Sequence, residues 1–287
     1  MILQETYSLS NGVKIPKLGL GTWLIPDGET AAAVKSAIEI GYRHIDTAQA
    51  YANERGTGEG IRSCGIPRED IFVTTKVAAE LKDYASAAAS IDESLIKLGL
   101  DYIDLVIIHC PQPWKEFRGA KRYFKENKEV WKALEDAYVT GKVKAVGVSN
   151  FLVDDLQNIL EDCRIKPMVN QILLHIGETP HELLSFCKEQ GILVEAYSPI
   201  AHGAALKNAQ VAEVAARYGV TVPQLCIQYT LQLGAVSLPK SSNPDHIRSN
   251  VQLDFTIADE DMAMLAGIGQ DYGADSWFPV FSGKKQV

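Results

Sequence analysis

Short apolar runs alternate with amphipathic segments along the whole chain, and this alternation restricts the fold more than any other feature. Apolar residues in the intervening segments recur at helical spacing, as do Ala87, Ile91, Leu95 and Leu98. Strands that alternate with helices favour a parallel sheet, and eight strand–helix units satisfy closure into a (β/α)8 barrel. The predicted barrel strands are Leu18–Gly21, His44–Asp46, Ile71–Lys76, Leu105–His109, Val143–Val148, Met168–Gln171, Leu193–Tyr197 and Val236–Leu238.

A small β-hairpin is predicted before the first barrel strand, with strands Thr6–Leu9 and Val13–Ile15 and a turn at Asn11-Gly12. A doubly wound sheet is the rival fold, but it usually has fewer strands and a phosphate-binding loop after the first. Neither a linker nor a low-complexity tract interrupts the chain. We therefore expect a single α/β domain, a TIM barrel, over residues 1–287.

Composition and charge exclude several classes of protein. Lys+Arg 28 against Asp+Glu 36 gives a net charge of −8 without any basic run, so nucleic acid and anionic membranes are poor partners. No stretch approaches the roughly 18 apolar residues of a membrane helix, and the N-terminus lacks the apolar region of a signal peptide. The five cysteines are far apart and form no C-x-x-C pair, which argues against disulfides and against a zinc site. We expect a cytoplasmic enzyme that contains no metal. We expect it to be a monomer, although the sequence does not exclude an oligomer.

Polar residues stand at the ends of the predicted strands, where a barrel places its chemistry. Seven strand ends carry them: Asp46, Lys76, His109, Ser149-Asn150, Gln171, Tyr197 and Lys240, and Tyr51 follows Asp46 in the next loop. A phenol beside an ammonium is a proton donor with a lowered pKa, and a carboxylate keeps the ammonium charged. Asp46, Tyr51, Lys76 and His109 are therefore candidates for protonating an oxygen while its carbon is attacked.

Each of these four residues also has a purely structural interpretation. Asp46 could cap a helix, Lys76 could extend its ammonium to solvent, and Tyr51 could pack its ring in the barrel mouth. His109 could be a core histidine bonded to the backbone. The number of polar strand ends favours a common site over four separate structural roles.

Segments in the same order along the chain resemble the aldo-keto reductase family. They are Gly19–Trp23, Gly41–Ala48, Tyr51–Glu54, Gly147–Phe151, Asn170-Gln171, Ala196–Pro199 and Leu238–Ser241. The resemblance spans roughly the whole chain, and Gln112–Gly119 is most similar to bacterial diketogluconate-reductase-type members. It implies that Tyr51 is the general acid and that Lys76, paired with Asp46, lowers the pKa of Tyr51. It also implies that His109 orients the substrate carbonyl.

The dinucleotide fingerprint G-x-G-x-x-G is missing, because Leu24 stands in place of the third glycine after Gly19-x-Gly21, and Ile61 does so after Gly56-x-Gly58. The resemblance nevertheless implies NADPH, with NADH as an alternative, extended across the barrel mouth. Ser149, Asn150 and Gln171 would then bind the carboxamide, Tyr197 would stack on the nicotinamide, Lys240 and Ser241 would bind the 2′-phosphate, and Asn250 the adenine. Gly21, Thr22, Asp46, Ser198, Ile200 and His246 complete the implied cofactor contacts.

The implied substrate pocket contains Trp23, Tyr51, His109, Cys110 and Trp114. The chain departs from the family pattern at four places. Cys110 stands where Trp is usual, Leu173 replaces a Glu after Asn170-Gln171, Ala201-His202 replaces Gly-Ser, and His246 replaces an Arg that contacts the adenosine phosphate. These departures bear on substrate range and on the preference for NADP over NAD, and they leave the chemistry unchanged.

The predicted function is the reduction of a small aldehyde or ketone to an alcohol with NAD(P)H. Two other classes stay open from the sequence. A regulatory protein could keep the fold and the cofactor without turnover, as the potassium-channel beta subunits of the family illustrate. A lyase or isomerase could use Lys76 to form a Schiff base with its substrate.

Overall fold

The computed structural model describes residues 1–269, and residues 270–287 of the predicted domain lie outside that part. The chain begins with the predicted hairpin, whose strands β1 (Thr6–Ser8) and β2 (Lys14–Pro16) pair antiparallel. Gly12 in the turn has a φ of +87°, a left-handed value that glycine adopts without strain. Ile15 is fully buried in the main hydrophobic core, so the hairpin is packed onto the barrel.

Eight parallel strands follow and close into a barrel, which confirms the predicted fold. They are β3 (Leu20–Gly21), β4 (His44–Asp46), β5 (Phe72–Val77), β6 (Leu105–Ile108), β7 (Val146–Ser149), β8 (Val169–Leu173), β9 (Leu193–Tyr197) and β10 (Val236–Leu238). Each strand pairs with the next one along the chain. The first and last are joined as well, because the Gly19 N–H donates to the Ser237 carbonyl and the Gly21 N–H to that of Pro239, both at 3.0 Å. This closure rules out the doubly wound sheet.

Helices connect the strands. Within the described residues they are α1 (Asp27–Ile40), α2 (Glu54–Arg62), α3 (Tyr84–Leu98), α4 (Phe124–Val139), α5 (Val153–Leu160), α6 (His181–Gln190), α7 (Ala209–Arg217), α8 (Val222–Gln232), α9 (Pro244–Ser249) and α10 (Asp259–Ala266). Local chemistry sets their ends. At the start of α3, Asp83 Oδ1 accepts a hydrogen bond from the Ser86 N–H at 2.9 Å, which satisfies a backbone donor that the helix leaves unpaired.

Two glycines of α2 are required by helix packing. A Cβ on Gly56 would lie 2.2 Å from the Asp27 carbonyl oxygen, and one on Gly58 would lie 1.9 Å from that of Leu98. Helix α2 therefore approaches the backbone of both α1 and α3 too closely for any side chain. The Gly56-x-Gly58 pair serves this contact and does not belong to a phosphate loop, in agreement with its incomplete fingerprint.

The predicted strand bounds differ from the observed ones by a few residues. Strand β5 extends one residue beyond Lys76, to Val77. Strand β7 begins at Val146, because the earlier residue Val143 forms only an isolated bridge with Ile103. In β7 the apolar run begins before the backbone pairing does, and in β5 the pairing continues past the polar residue Lys76. These differences do not change the side of the barrel on which the strands end, because all eight strands are parallel.

Three further features concern the class of protein. Within residues 1–269, no helix is long and apolar enough to cross a membrane. All five cysteines are free. The described part of the chain contains no cluster of His, Cys, Asp and Glu side chains that could hold a metal ion.

Candidate active site

A cavity of about 900 Å³ opens at the C-terminal side of the barrel. Residues of the barrel strands form part of its wall, including Gly21 of β3, Asp46 of β4, Ser149 of β7, Gln171 of β8 and Tyr197 of β9. The strands are parallel, so their C-terminal ends meet on one side. Most of the polar strand ends seen in the sequence therefore share one site.

Lys76 and Asp46 form a buried ion pair at the cavity wall, to which Asp46 belongs and Lys76 does not. Lys76 Nζ donates to Asp46 Oδ1 at 2.6 Å and to the Thr47 carbonyl at 2.8 Å. The Lys76 side chain is fully buried, and Asp46 is only 4% exposed. A buried ammonium without partners would be very costly, so these two acceptors are what allow Lys76 to stay inside the barrel.

A short turn, Gln49–Tyr51, holds the candidate acid Tyr51 beside this pair. The Gln49 amide fixes the turn, because its Nε2 donates to Ser94 Oγ and its Oε1 accepts from the Ala78 N–H, both at 2.9 Å. The Lys76 ammonium then lies 4.8 Å from the centroid of the Tyr51 ring. The phenol and the ammonium are therefore neighbours, as the sequence predicts.

The electrostatic effect on Tyr51 is nevertheless the reverse of the predicted one. Burial is the largest cause, the Asp46 carboxylate is the next, and together they raise the pKa of Tyr51 well above its usual value. A net lowering of this pKa is therefore not seen, and a lowering contribution from Lys76 stays a prediction. Tyr51 is held in its protonated form, which is the form that a proton donor needs.

His109 forms the wall of the cavity next to Tyr51. Their rings meet edge to face at 5.6 Å, and the Trp114 ring contacts His109 on another side at 5.0 Å. Burial, and then the Lys76 ammonium, lower the pKa of His109 well below its usual value. The imidazole is therefore neutral and carries a single N–H. Its Nδ1 is buried without a hydrogen-bond partner among the described residues, which leaves Nε2 as the nitrogen that the cavity engages.

A shelf of amide and hydroxyl groups lines the same cavity. Asn150 Nδ2 donates to Ser149 Oγ at 3.0 Å and to the His109 carbonyl at 3.1 Å, and its Oδ1 accepts from the Tyr197 hydroxyl at 2.7 Å. Gln171 Nε2 donates to Asp46 Oδ2 at 2.8 Å, which connects the shelf to the ion pair. Ser149, Asn150 and Gln171 are thus held in fixed orientations beside the Tyr197 ring.

A cationic end of the cavity lies after β10. The predicted phosphate and adenine contacts Lys240, Ser241, His246 and Asn250 all line the cavity, and Lys240 and His246 are exposed. Ser241 and Asn250 are largely buried, at 9% and 5% exposure. The structure thus brings these four residues together with the shelf in one continuous space. Ser198 and Ile200, after β9, line it too.

Two predicted contacts do not reach the cavity wall. Thr22 is fully buried, and its hydroxyl donates to the Asp46 carbonyl at 3.0 Å, so it supports the strand that carries Asp46. Cys110 is also fully buried, and burial raises the pKa of its thiol to about 12. The expectation that Cys110 lines the substrate pocket is therefore not met. Cys110 lies beyond the end of β6 at Ile108, and its side chain is buried away from the cavity.

Aromatic side chains line the remaining wall, as predicted for Trp23 and Trp114. The Trp23 ring contacts the His202 ring edge to face at 5.4 Å, across the cavity from its own strand end. His202 belongs to the segment Ala201–Lys207, one of the departures from the family pattern.

Sequence reasoning missed Glu195. Glu195 lies in the middle of β9, is fully buried, and its Oε2 accepts from Gln171 Nε2 at 2.9 Å. A signal was present in the sequence. Alternate residues of a strand share one face, so a carboxylate two residues before Tyr197 points to the same side as Tyr197.

Comparison with known proteins agrees with this geometry. Residues 17–270 match the Aldo/keto reductase family. The chain is 41% identical over 271 residues to the glyoxal reductase of Bacillus subtilis, covering 94% of each chain. It is similar to the crystal structure of an aldo-keto reductase from a Medee basin deep-sea metagenome library, with TM-score 0.86, 38% identity and 92% and 95% coverage of the two chains. It is also similar to the Bombyx mori aldo-keto reductase in complex with NADP, with TM-score 0.83, 32% identity and 93% coverage of each chain.

Proposed function

The chain belongs to the aldo/keto reductase family of oxidoreductases, and we propose that it reduces small aldehydes or ketones with NADPH, with Tyr51 as the general acid. One observation carries the proposal. A protonated phenol and a neutral imidazole stand side by side in one cavity, in front of a buried Lys76–Asp46 pair. A carbonyl oxygen that accepted from both would be polarised and ready to receive a proton.

The cavity suits a nicotinamide dinucleotide at both of its ends. The shelf of Ser149, Asn150 and Gln171 offers oriented donors and acceptors for a carboxamide, and the Tyr197 ring beside it offers a face for stacking. Lys240 and Ser241 offer an ammonium and a hydroxyl for a phosphate. When bound, the reduced nicotinamide supplies the hydride that no side chain can give.

Tyr51 delivers the proton to the carbonyl oxygen. The raised pKa keeps the phenol protonated over the whole neutral range, and the developing alkoxide is a stronger base than phenolate. Lys76, 4.8 Å from the ring centroid, stabilises the phenolate as the proton leaves. Asp46 accepts a hydrogen bond from Lys76 and holds it in place, and neutral His109 orients the carbonyl through its single N–H.

The choice of NADPH over NADH is supported by the cationic end of the cavity. A 2′-phosphate paired with Lys240 and Ser241 would form charge-assisted hydrogen bonds, which are stronger than neutral ones. His246 supplies no permanent charge and lacks the planar fork of the arginine that it replaces. We therefore expect a real but modest preference for NADPH. The similarity to the Bombyx mori protein, which is in complex with NADP, points the same way.

The Schiff-base alternative is disfavoured by the surroundings of Lys76. Its ammonium is fully buried, donates to a carboxylate and a carbonyl, and does not line the cavity. A carbonyl substrate would have to break both bonds to reach Nζ. The regulatory alternative predicts a bound cofactor without turnover, so the test below separates it from an enzyme.

The test is the loss of absorbance at 340 nm with NADPH or NADH and a panel of carbonyl compounds that includes glyoxal. Tyr51→Phe should lower kcat by roughly 10²–10⁴-fold and leave the Kd for NADP⁺ nearly unchanged, since a positioned proton donor contributes about that much. Tyr7→Phe is the matched control, because the Tyr7 hydroxyl is remote and bonds the Leu231 carbonyl. Absence of turnover with every carbonyl, or more than about a tenth of wild-type kcat in Tyr51→Phe, would overturn the proposal.

A further inference from the structure

The amide of Gln171 lies between two buried carboxylates. Its Nε2 donates to Asp46 Oδ2 at 2.8 Å and to Glu195 Oε2 at 2.9 Å, so both of its N–H groups are used. Glu195 is paired in register with Gln171 on the neighbouring strand β9 and is fully buried. It does not line the cavity, and its hydrogen bond to Gln171 connects it to a residue that does.

This arrangement fixes which way the amide faces. An amide oxygen turned toward the two carboxylates would meet two acceptors and lose two hydrogen bonds, so the amino group is directed inward. The oxygen Oε1 then faces away from both carboxylates, and Gln171 is part of the cavity wall. Without Glu195, the amide would have Asp46 as its only acceptor and one buried N–H without a partner. The inward orientation of the amino group would then be less strongly favoured.

Glu195 can serve as an acceptor whether or not it is ionised. Burial, and then the Asp46 carboxylate, raise the pKa of Glu195 to about 8. The charged or titratable groups around it are Asp46, the Lys76 ammonium and His44, whose Nε2 lies 3.7 Å from Glu195 Oε1. Burial lowers the pKa of His44 to about 3, so His44 stays neutral and brings no charge. A protonated Glu195 still accepts through Oε2, while Oε1 carries the proton.

We propose that Glu195 is a positioning residue that holds the Gln171 amide with Oε1 toward the cavity, ready to accept a hydrogen bond from the carboxamide NH₂ of the nicotinamide. This inference rests on the proposed function, because Gln171 meets a carboxamide only if the cofactor lies as proposed. Glu195 itself touches neither cofactor nor substrate.

The experiment compares two ligands that share the adenosine 2′-phosphate end. NADP⁺ carries the carboxamide and adenosine 2′,5′-bisphosphate lacks it, and their Kd values are measured by calorimetry on the full chain. Glu195→Leu should weaken NADP⁺ binding by about tenfold, the effect of losing one oriented hydrogen bond of about 1.4 kcal/mol, and leave the bisphosphate unchanged. Glu195→Met is a second apolar variant whose unbranched side chain follows that of Glu. Glu195→Gln keeps an acceptor at the same place and should bind NADP⁺ as the wild type does.

The background variant Gln171→Leu separates this inference from the proposed function. Gln171→Leu should by itself raise the Kd for NADP⁺ and leave the Kd for the bisphosphate unchanged. An unchanged Kd for NADP⁺ would refute the carboxamide contact and the inference that rests on it. In the Gln171→Leu background, Glu195→Leu should add nothing, since the residue acts through Gln171. A further tenfold loss there, an equal loss for both ligands, or failure of Glu195→Gln to restore NADP⁺ binding would overturn the role of Glu195 alone.

Discussion

Replacing Lys76 by Met should separate the stability role of the buried ion pair from its catalytic role. The change removes the ammonium that Asp46 Oδ1 accepts from at 2.6 Å and leaves a carboxylate that is 4% exposed without its counter-ion. Breaking one half of a buried pair costs roughly 3–5 kcal/mol, so the free energy of unfolding should fall by about that much. The double variant Lys76→Met with Asp46→Asn removes both charges and should regain most of this stability.

The double variant should regain stability without regaining turnover. Both variants lack the ammonium that stabilises the Tyr51 phenolate, so kcat should stay at least about 10²-fold below wild type in each. The matched control is Lys17→Met, because Lys17 pairs with Glu5 at the similar distance of 2.7 Å but on the surface. An exposed pair of this kind contributes less than about 1 kcal/mol.

Urea unfolding followed by circular dichroism gives the stabilities, and the absorbance at 340 nm gives kcat. A stability loss in Lys76→Met no larger than in Lys17→Met would show that burial does not make this pair costly to break. Wild-type turnover in the double variant would show that the ammonium has no catalytic task.

Three other predictions follow from the positions of single residues. Cys110→Ala should lower the free energy of unfolding by about 1 kcal/mol through lost packing and leave KM the same for small and bulky carbonyls. A change in KM that depends on substrate size would show that Cys110 lines the substrate pocket. Lys240→Ala should lower the NADPH/NADH ratio of kcat/KM by about tenfold, and His246→Arg should raise it. A ratio that neither change affects would show that the 2′-phosphate does not bind at this end of the cavity. Because the pKa of Glu195 is raised to about 8, its folded form holds a proton that the unfolded form loses near its usual pKa, so stability should fall as pH rises from about 4.5 to about 8. Glu195→Gln should reduce this fall in stability. Parallel curves of stability against pH for the wild type and the variant would show that Glu195 does not titrate in this range.

The barrel could be predicted from the sequence because its strands are short apolar runs that end in polar residues. Strands β4, β9 and β10 have the predicted bounds. The start of β7 was placed too early, because apolar character does not reveal where backbone pairing begins, and Val143 makes only one isolated bridge. The convergence of Asp46, Lys76 and His109 followed from parallel strands alone.

The electrostatics of the site could not be predicted in the same way. The sequence places an ammonium near Tyr51, but it does not show how deeply the phenol is buried or how close the Asp46 carboxylate is, and these decide the direction of its pKa shift. Cys110 was assigned to the pocket because it adjoins His109 in sequence. The direction of its side chain depends on the backbone beyond the end of β6 at Ile108, which the sequence pattern does not show. The diketogluconate-reductase-type resemblance stays a prediction.

The distribution of hydrogen bonds inside the barrel indicates which end of a ligand each part of the cavity accepts. Near the ion pair the buried donors are used internally: Lys76 meets a carboxylate, a carbonyl and an aromatic ring, and the Gln171 amide uses both N–H groups. What this end presents to the cavity is a protonated phenol, a neutral imidazole and amide oxygens, which suit uncharged carbonyl and carboxamide groups. The exposed ammonium of Lys240 stands at the other end, where it suits a phosphate. Because an unpaired charge is costly at the buried end, we expect a dinucleotide to bind with its carboxamide toward the ion pair and its adenosine phosphate toward Lys240.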